Sequence, residues 1–439
     1  MVRITLLLSL LLSLSTTLRG QNFSLEVVDR YIDSAITQRY FPGAQLVIGN
    51  KEGVYYSKSY GYLDYTQRTP VDESTIYDLA SCTKVLATTL ATMTLIEEGK
   101  ISLDTKIGDV IEGADTLEFA DVMVKNLLYH ESGFRPGVGV STSLVRSADK
   151  DVPLLARSES ETNPYLFDTR YYVAKNITYD STYVHGFSGR GGVRISKNHY
   201  LDIDNYRIKL DSMITAAYNP KRKGYYTYSD LNIYFLQKII EKVTATSLDK
   251  YIASIYQKMN ISTLGFNPKK WYDIEKIAPT EFDPLFRRDT VRGVVHDELA
   301  FVQGGVCGNA GLFGSAQSVA EICGMFLRGG TDYHGNKVVN NSTIDLFTRP
   351  KKYSSGAFHG LGFDKLDPNK FPYPSESYGH TGFTGTYFWI DPTSDLYVIL
   401  LTNRINPSRT NRNLNGEYRS KMWEMIERIN HNNQLYVER

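Results

Sequence analysis

Residues 75–89 read TIYDLASCTKVLATT, and this stretch decides how the rest of the chain is interpreted. Apolar residues recur at helical spacing through its second half and on to Ile96. Gly99 follows where a left-handed residue often ends a helix. The pattern therefore predicts a helix whose N-terminus lies at Ser81.

A serine at a helix N-terminus is commonly an N-cap, but it can also be a nucleophile aimed out of the helix end. Lys84 favours the nucleophile, because it lies on the same helix face, where a lysine opposes the helix dipole. Partial burial near other cations would ease the loss of the ammonium proton, so the amine could accept the proton of the Ser81 hydroxyl. This is the S-x-x-K arrangement of serine acyl-transfer enzymes. Such a short pattern also recurs by chance, so partners must be found elsewhere in the chain.

Composition excludes several classes of function. The chain has 439 residues, 42% of them apolar, which is enough for a buried core. Its formal net charge of +1 gives no electrostatic footprint for nucleic acid or an anionic membrane, so a small substrate fits better. Cys82, Cys307 and Cys323 have neither metal-site nor disulfide-framework spacing and are interpreted as small buried residues. We expect no metal and no cofactor.

The N-terminus has the pattern of a secretory signal. One basic residue at position 3 precedes an apolar run of about a dozen residues, which is shorter than a membrane span of about 20. The sequence therefore predicts a signal peptide at residues 1–20, no membrane span after its cleavage, and a periplasmic or secreted protein. A retained N-terminal anchor is the alternative.

The remaining pattern predicts an α+β fold in one domain over residues 21–439. Helices are predicted at residues 24–38, 231–243, 247–259, 318–328 and 418–429, and hairpins at 43–61 and 378–403. Together they indicate an antiparallel β-sheet flanked by helices, with an inserted, mostly helical middle region. Residues 138–220 are polar and rich in tyrosine without a sustained helical period, and they are interpreted as an inserted lid.

Three other segments carry reactive or glycine-rich residues but are assigned no catalytic role. Residues 186–190 resemble a nucleophile elbow, yet Arg190 replaces the second glycine and no strand precedes it. His130 stands alone at a helix end, where an imidazole is more often structural. The glycines of residues 304–313 lack phosphate-loop spacing, which argues against nucleotide binding.

Three short motifs together resemble one enzyme superfamily. In chain order they are Ser81-Cys82-Thr83-Lys84, Tyr228-Ser229-Asp230 and His380-Thr381-Gly382. The set resembles the serine β-lactamase-like superfamily, which includes class C β-lactamases, low-molecular-weight penicillin-binding proteins, D-aminopeptidases and β-lactamase-fold esterases. The likeness runs from about residue 24 to 430 and implies the β-lactamase/DD-peptidase fold.

The resemblance also implies a role for each matching residue. Ser81 corresponds to the acylated nucleophile, Lys84 to its proton acceptor, and Tyr228 to the tyrosine that passes a proton to the leaving group. The edge formed by His380, Thr381 and Gly382 corresponds to the strand that lines the substrate cleft. The backbone N–H groups of Ser81 and Phe383 correspond to the oxyanion hole, where losing one donor costs about 3–4 kcal/mol.

Two positions depart from the class C pattern. Asp230 stands where those enzymes have Asn, and its carboxylate would hold Lys84 charged more firmly. His380 stands where they have Lys, so the permanent cation that attracts a β-lactam carboxylate is mostly absent at pH 7. We therefore expect inefficient β-lactam hydrolysis.

The favoured function is a secreted or periplasmic serine hydrolase that acts through an acyl-enzyme on Ser81. Its substrate would be a D-amino-acid peptide or amide, as in peptidoglycan peptides, or a small ester. One alternative is a penicillin-binding receptor or scaffold with little turnover, and another is a true β-lactamase. No nucleic-acid partner is expected, and the oligomeric state is left open.

Overall fold

The computed structural model describes residues 25–187 and 192–437, with the backbone alone for residues 432–437. The predicted signal peptide at residues 1–20 lies outside these ranges, as do residues 188–190 of the rejected elbow. Across the described ranges, no helix combines the length and apolar character needed to cross a bilayer.

An eight-stranded antiparallel sheet lies at the centre of the molecule. In spatial order its strands are β16 (Lys351–Lys352), β17 (Phe358–His359), β18 (Asp364–Lys365), β19 (Tyr378–Thr381), β20 (Tyr387–Asp391), β21 (Leu396–Thr402), β1 (Gly43–Asn50) and β2 (Gly53–Gly61). β1 pairs with both β2 and β21, with Gln45 opposite Leu401, so the two ends of the chain meet inside one sheet. The predicted antiparallel α+β architecture is confirmed.

Side chains of β21 alternate between two apolar layers, because successive residues of a strand point to opposite faces. Leu396, Val398 and Leu400 pack with the terminal helices, whereas Tyr397, Ile399 and Leu401 belong to the larger core on the other face. The sheet is thus buried on both sides, which explains the nearly continuous apolar run of this strand.

Twelve α-helices lie within the described residues. They are α1 (Glu26–Thr37), α2 (Leu90–Glu97), α3 (Ile107–Val110), α4 (Val124–Leu128), α5 (Val140–Leu144), α6 (Ile203–Thr215), α7 (Asp230–Thr244), α8 (Leu248–Lys258), α9 (Glu298–Val302), α10 (Ala316–Leu327), α11 (Asn341–Thr348) and α12 (Gly416–Val437). Ser315 caps α10 by accepting a hydrogen bond from the Ser318 N–H. α1 and α12 cover one face of the sheet and α10 covers the other.

Short strands complete the fold outside the central sheet. β3 (Tyr77–Asp78), β12 (Leu264–Phe266) and β15 (Leu312–Gly314) form one small sheet, and β13 (Phe282–Asp283) pairs with β14 (Asp289–Thr290). The small sheet joins the segment before Ser81 to the end of the glycine-rich stretch 304–313, which was predicted to be a loop.

The predicted hairpin over residues 378–403 is present at its turn near Asp391, but one of its strands is divided and three neighbouring strands were missed. The run 378–392 is not one strand, because a turn at residues 382–386 separates β19 from β20. β16, β17 and β18 were not predicted, since strands of two residues are too short to show an alternating pattern.

The 138–220 excursion is more regular than predicted. It contains β4 (Val145–Ser147), β5 (Leu155–Ala156), β6 (Tyr165–Phe167), β7 (Tyr171–Val173), β8 (Ile177–Tyr179), β9 (Val184–His185), β10 (Gly192–Ser196) and β11 (His199–Asp202), followed by α6. α6 was missed although Tyr206, Leu210 and Ile214 recur every four residues and are buried. Apart from α5 and α6, the segment consists largely of short hairpins, in keeping with the absence of a sustained helical period in its sequence.

Candidate active site

Ser81 lies in a single 3-10 turn, Ala80–Cys82, which leads into a π-helical segment, Lys84–Thr89, and then into α2. A π-helical segment is rare and is often found at functional sites. Ala80 has a φ of +46°, unusual for a residue other than glycine. The buried Asp78 carboxylate fixes this turn, since it accepts hydrogen bonds from the Ala80 N–H (2.9 Å) and the His296 N–H (2.7 Å).

Lys84 brings the predicted nucleophile and its neighbours together. Its Nζ lies 2.8 Å from Ser81 Oγ, 2.7 Å from Asp230 Oδ1 and 3.2 Å from the Asn309 carbonyl oxygen. The Lys84 side chain is only 1% exposed, so three acceptors replace the water that a buried ammonium loses. Contact between Ser81 and Lys84 through one helical turn was predicted from their spacing.

The charge state of Lys84 differs from the first expectation. Burial by itself lowers the pKa of Lys84, but the Asp230 carboxylate and Tyr228 outweigh it and raise the pKa above its ordinary value. The expected easy loss of the proton is therefore wrong for the resting site. The expected effect of Asp230, which was to hold Lys84 charged, agrees with this geometry.

Tyr228 lies over the same ammonium group. Lys84 Nζ is 5.0 Å from the centroid of the Tyr228 ring, and the His130 ring is 4.7 Å from it on another side. Burial raises the pKa of Tyr228 to about 12, while Lys84 partly opposes the shift. Tyr228 is therefore a neutral phenol that can donate a proton at neutral pH.

His130 supports the start of α7 and does not reach the cleft. Its buried Nδ1 accepts hydrogen bonds from the Ser229 N–H (3.2 Å) and from Asn232 Nδ2 (2.9 Å). Burial lowers the pKa of His130 well below its ordinary value, so the ring stays neutral. This arrangement matches the structural role favoured for His130 and fixes the backbone next to Asp230.

The turn after β19 is bound to the segment that precedes Ser81. Thr384 Oγ1 donates to the Asp78 carbonyl (2.7 Å) and Thr386 Oγ1 donates to the Leu79 carbonyl (2.9 Å). A Cβ on Gly382 would lie 2.6 Å from the Leu79 carbonyl oxygen and 2.0 Å from Thr386 Oγ1, so only glycine fits this approach. The turn therefore holds Phe383 in a fixed position relative to Ser81.

The two backbone donors predicted for an oxyanion are free to act. Among residues 25–187 and 192–437, neither the Ser81 N–H nor the Phe383 N–H has a hydrogen-bond acceptor. Both Ser81 and Phe383 line the same cavity. Unpaired N–H groups at a reactive serine are what a tetrahedral oxyanion requires.

His380 and Thr381 are placed differently from the prediction. His380 is 2% exposed, its Nδ1 lies 2.8 Å from the Thr381 carbonyl oxygen, and it does not line the cavity at Ser81. Burial lowers the pKa of His380, although the Asp364 carboxylate 3.8 Å away opposes this, so the ring is neutral at pH 7. Thr381 lines a separate cavity.

The cavity at Ser81 has a volume of about 440 Å³. Its walls include Ser81, Tyr228, Asp230, Phe383, Val138, Ser141, Phe167, His296, Asp297 and Arg409. Burial and the nearby Asp230 carboxylate raise the pKa of Asp297. This size is typical of a site for a small ligand.

Sequence reasoning missed an ion-paired group in the cavity wall. Glu281 is buried, and Arg409 donates from Nε to both of its carboxylate oxygens, at 2.8 and 2.9 Å. His296 Nε2 lies 2.7 Å from Glu281 Oε1, and the His296 ring stacks on Phe383 at 5.5 Å. Glu281 and Arg409 are 128 positions apart, so no local pattern could reveal the pair.

Asn309 was also missed as a contact of Lys84. The only sequence signal was the glycine-rich stretch 304–313, for which nucleotide binding was rejected and no other role was assigned. Within the described part of the chain, no group of three or more His, Cys, Asp or Glu side chains has a metal-binding arrangement.

Comparisons with known proteins identify the family and the fold. The family model described as Beta-lactamase matches residues 28–419. A curated protein of Escherichia coli (strain K12) named "Putative D-alanyl-D-alanine carboxypeptidase" is 28% identical over 418 residues, covering 87% of this chain and 82% of that protein.

Two solved structures share the fold. EstCE1, described as a hydrolase with promiscuous acyltransferase activity, superposes with a TM-score of 0.63 at 19% identity, covering 93% of this chain and 99% of that one. The octameric penicillin-binding protein homologue from Pyrococcus abyssi has a TM-score of 0.60 at 21% identity, covering 87% and 73%.

Proposed function

The chain belongs to the Beta-lactamase family, and from this premise we propose that it is a serine hydrolase that forms an acyl-enzyme on Ser81. Its substrates are D-amino-acid peptides or amides, or small esters. The observation that carries the proposal is the 2.8 Å contact between Lys84 Nζ and Ser81 Oγ in a cavity with two unpaired backbone N–H groups. A nucleophile beside a base and an oxyanion site is the arrangement that acyl transfer requires.

Acylation joins Ser81 Oγ to the carbonyl carbon of the substrate. The hydroxyl proton passes to Lys84, and the oxyanion is stabilised by the N–H groups of Ser81 and Phe383. As the bond to the leaving group breaks, the Tyr228 phenol supplies its proton, and Lys84 returns a proton to Tyr228. Water then attacks the acyl carbon by the reverse proton path and releases the acid.

The resting site holds one proton more than these reaction steps allow. Lys84 is charged and Tyr228 is neutral, so the reactive form has lost one proton from the group formed by Lys84, Asp230 and Tyr228. The apparent pKa of this loss belongs to the group and not to one residue. Acylation therefore rises with pH on the alkaline side.

The substrate class rests on the family and on the shape of the cavity. The E. coli relative carries the name of a D-alanyl-D-alanine carboxypeptidase, and a volume of about 440 Å³ admits a dipeptide end or a small ester. β-Lactams are poor substrates in this proposal, because His380 is neutral and lies outside the cavity wall. The predicted signal peptide places the reaction in the periplasm or outside the cell.

Single-turnover acylation of four forms of the enzyme tests the proposed proton path. The forms are wild type, Lys84→Ala, Tyr228→Phe and the double variant, with Lys125→Ala as an exposed control. Either single change should slow acylation by a nitrophenyl ester about 10³-fold or more, and the double change little further, as residues acting as a unit are not additive. Additive losses, or wild-type acylation that does not change with pH, would remove one residue from the mechanism.

A further inference from the structure

The turn between β19 and β20 is bound by an arginine that the proposed proton path does not use. Arg404 lies just after the end of β21 and is 6% exposed. Its Nη2 donates a hydrogen bond to the Phe383 carbonyl oxygen, and its Nη1 donates to the Asn411 carbonyl oxygen. The guanidinium also lies 5.2 Å from the centroid of the Phe383 ring. Arg404 therefore contacts both the backbone and the side chain of Phe383.

The aliphatic part of Arg404 supports the same turn at a second point. A Cβ on Gly385 would lie 3.0 Å from Arg404 Cβ and 2.9 Å from Arg404 Cγ, so the arginine stem packs directly against Gly385. The Gly385 N–H donates to the Gly382 carbonyl oxygen at 3.0 Å. That carbonyl belongs to the same planar peptide unit as the Phe383 N–H, and in a trans peptide the two groups point in opposite directions. Holding the Gly382 carbonyl therefore fixes the direction of the Phe383 N–H.

Arg404 carries a buried charge that no carboxylate of the described residues pairs with. Its guanidinium donates only to backbone carbonyl groups there, and its Nε is buried without a partner. Burial lowers the pKa of Arg404 to about 10, with Arg412 and Arg419 adding to the shift, so the side chain is still charged at pH 7. The Glu281 carboxylate opposes the shift but is paired with Arg409. A buried cation without an ion pair is costly, and proteins keep such costs mainly at functional sites.

We propose that Arg404 is a positioning residue for the oxyanion site. This inference rests on the proposed function, since it concerns the Phe383 N–H that receives the oxyanion. The guanidinium holds the carbonyl that follows this N–H, and the stem holds Gly385, which binds the carbonyl that precedes it. The charge of Arg404 also adds to the positive potential that a developing oxyanion meets. Arg404 does not line the cavity at Ser81, so it acts without touching the substrate.

Single-turnover acylation by a nitrophenyl ester and by the matching thionoester tests the proposal. Sulfur replaces the carbonyl oxygen in the thionoester, and because sulfur is larger and a weaker acceptor, a site built for an oxyanion stabilises it less. Relative to their reactivity toward hydroxide, wild type should therefore prefer the oxygen ester. Arg404→Met should slow acylation by the oxygen ester about 10²-fold, as expected for a misplaced oxyanion donor, and acylation by the thionoester much less.

Arg412→Met is the matched control for Arg404→Met. The Arg412 guanidinium lies 5.6 Å from the centroid of the same Phe383 ring, but it is half exposed and pairs with Asp168. Its ratio of the two acylation rates should equal that of wild type. Arg404→Lys keeps the charge and much of the stem but loses the planar fork that reaches two carbonyl groups, so its ratio should fall by a smaller factor. This variant decides the question if Arg404→Met does not fold.

The outcomes separate this inference from the proposed function. A wild-type enzyme that is not acylated on Ser81, as followed by mass spectrometry, would overturn the proposed function and this role for Arg404 with it. If wild type is acylated but shows no preference for the oxygen ester, the positioning role fails alone. It also fails if the Arg404 variants keep the wild-type ratio or slow both esters equally. An equal fall of the ratio in Arg412→Met would overturn it too, because contact with the Phe383 ring would then be the cause.

Discussion

Among the single residues, Lys84 carries the charge on which the proposed acylation depends. Its side chain is almost completely buried, yet the Asp230 carboxylate 2.7 Å away keeps it protonated. A buried lysine without that partner would lose its proton more easily. In the proposed mechanism, the carboxylate at position 230 therefore sets the pH at which Ser81 is activated.

Replacing that carboxylate should move the pH profile of acylation. Asp230→Asn removes the anion that does most to raise the pKa of Lys84, so that pKa should fall. A charge at this distance typically shifts a pKa by about 1–3 units, so the alkaline limb of acylation should move to lower pH by that amount. Stopped-flow acylation between pH 6 and 10 measures the shift.

Asp249→Asn is the matched control, since Asp249 is the acid in the first turn of the neighbouring helix α8. Its profile should coincide with that of the wild type. A profile for Asp230→Asn that stays in place would contradict the control of Lys84 by Asp230, and a uniform loss at every pH would instead show that Asp230 is itself a required proton acceptor.

At the scale of elements, the 138–220 excursion is built into the core as well as the cleft. Val140, Leu144, Leu201 and Leu210 are buried in the main core, so removing the whole segment would expose apolar surface. Phe167, at the end of β6, lines the cavity and lies 4.4 Å from the Arg409 guanidinium. The role of the 138–220 excursion as a lid remains a prediction, and a substitution of Phe167 can test it.

Phe167→Ala should widen the cleft beside Arg409. We expect KM for a D-alanyl-D-alanine peptide to rise about tenfold, because the variant loses part of the apolar contact that one aromatic side chain makes with the substrate. KM for a small nitrophenyl ester should change little. Leu166→Ala is the control, because its side chain is 40% exposed on the other face of the strand. Equal effects on both substrates would place Phe167 in the catalytic core instead.

Elements with a long, regular pattern were predictable from sequence, and short ones were not. α7 was found because its apolar face recurs over four turns, and the β1–β2 hairpin because two strand patterns flank a short turn. β16 to β18 have two residues each and carry no period. α6 was overlooked because its polar residues dilute a stripe of three buried side chains.

The candidate site likewise contains contacts that the sequence predicted and contacts that it did not. Ser81 and Lys84 are close in sequence, so helical geometry predicted their contact. The position of His380 could not be foreseen, because the neighbouring Asp364 lies on another strand that only the folded sheet brings near. The Glu281–Arg409 pair likewise joins two distant loops.

Two histidines are buried in the folded molecule and stay neutral there. His130 and His380 are 1% and 2% exposed, and burial lowers the pKa of both below the ordinary value. In the unfolded chain they titrate near pH 6.5, so below that pH the unfolded state binds more protons than the folded state. Folding stability should therefore fall as pH decreases from 6.5.

Urea unfolding at pH 7.5 and pH 5.5 measures this effect. Each buried histidine can contribute at most about 1.4 kcal/mol per pH unit to the loss of unfolding free energy. His380→Gln should reduce the loss, whereas His185→Gln, at a histidine nearer the surface, should leave it unchanged. A free energy of unfolding that is constant or larger at pH 5.5 would contradict the assignment of neutral, buried rings.

The central claim is that Ser81 is the nucleophile, and mapping a covalent adduct tests it most directly. Wild type and Ser81→Ala are treated with a fluorophosphonate and analysed by intact-mass and peptide mass spectrometry, with Ser57→Ala as an exposed control. Wild type and Ser57→Ala should gain one adduct on the peptide that contains Ser81. Ser81→Ala should gain none while remaining folded, since the hydrogen bond from Lys84 to the Ser81 hydroxyl, which the variant lacks, is worth only about 1.5–3 kcal/mol. A full adduct on Ser81→Ala, or a wild-type adduct on another residue, would contradict the account.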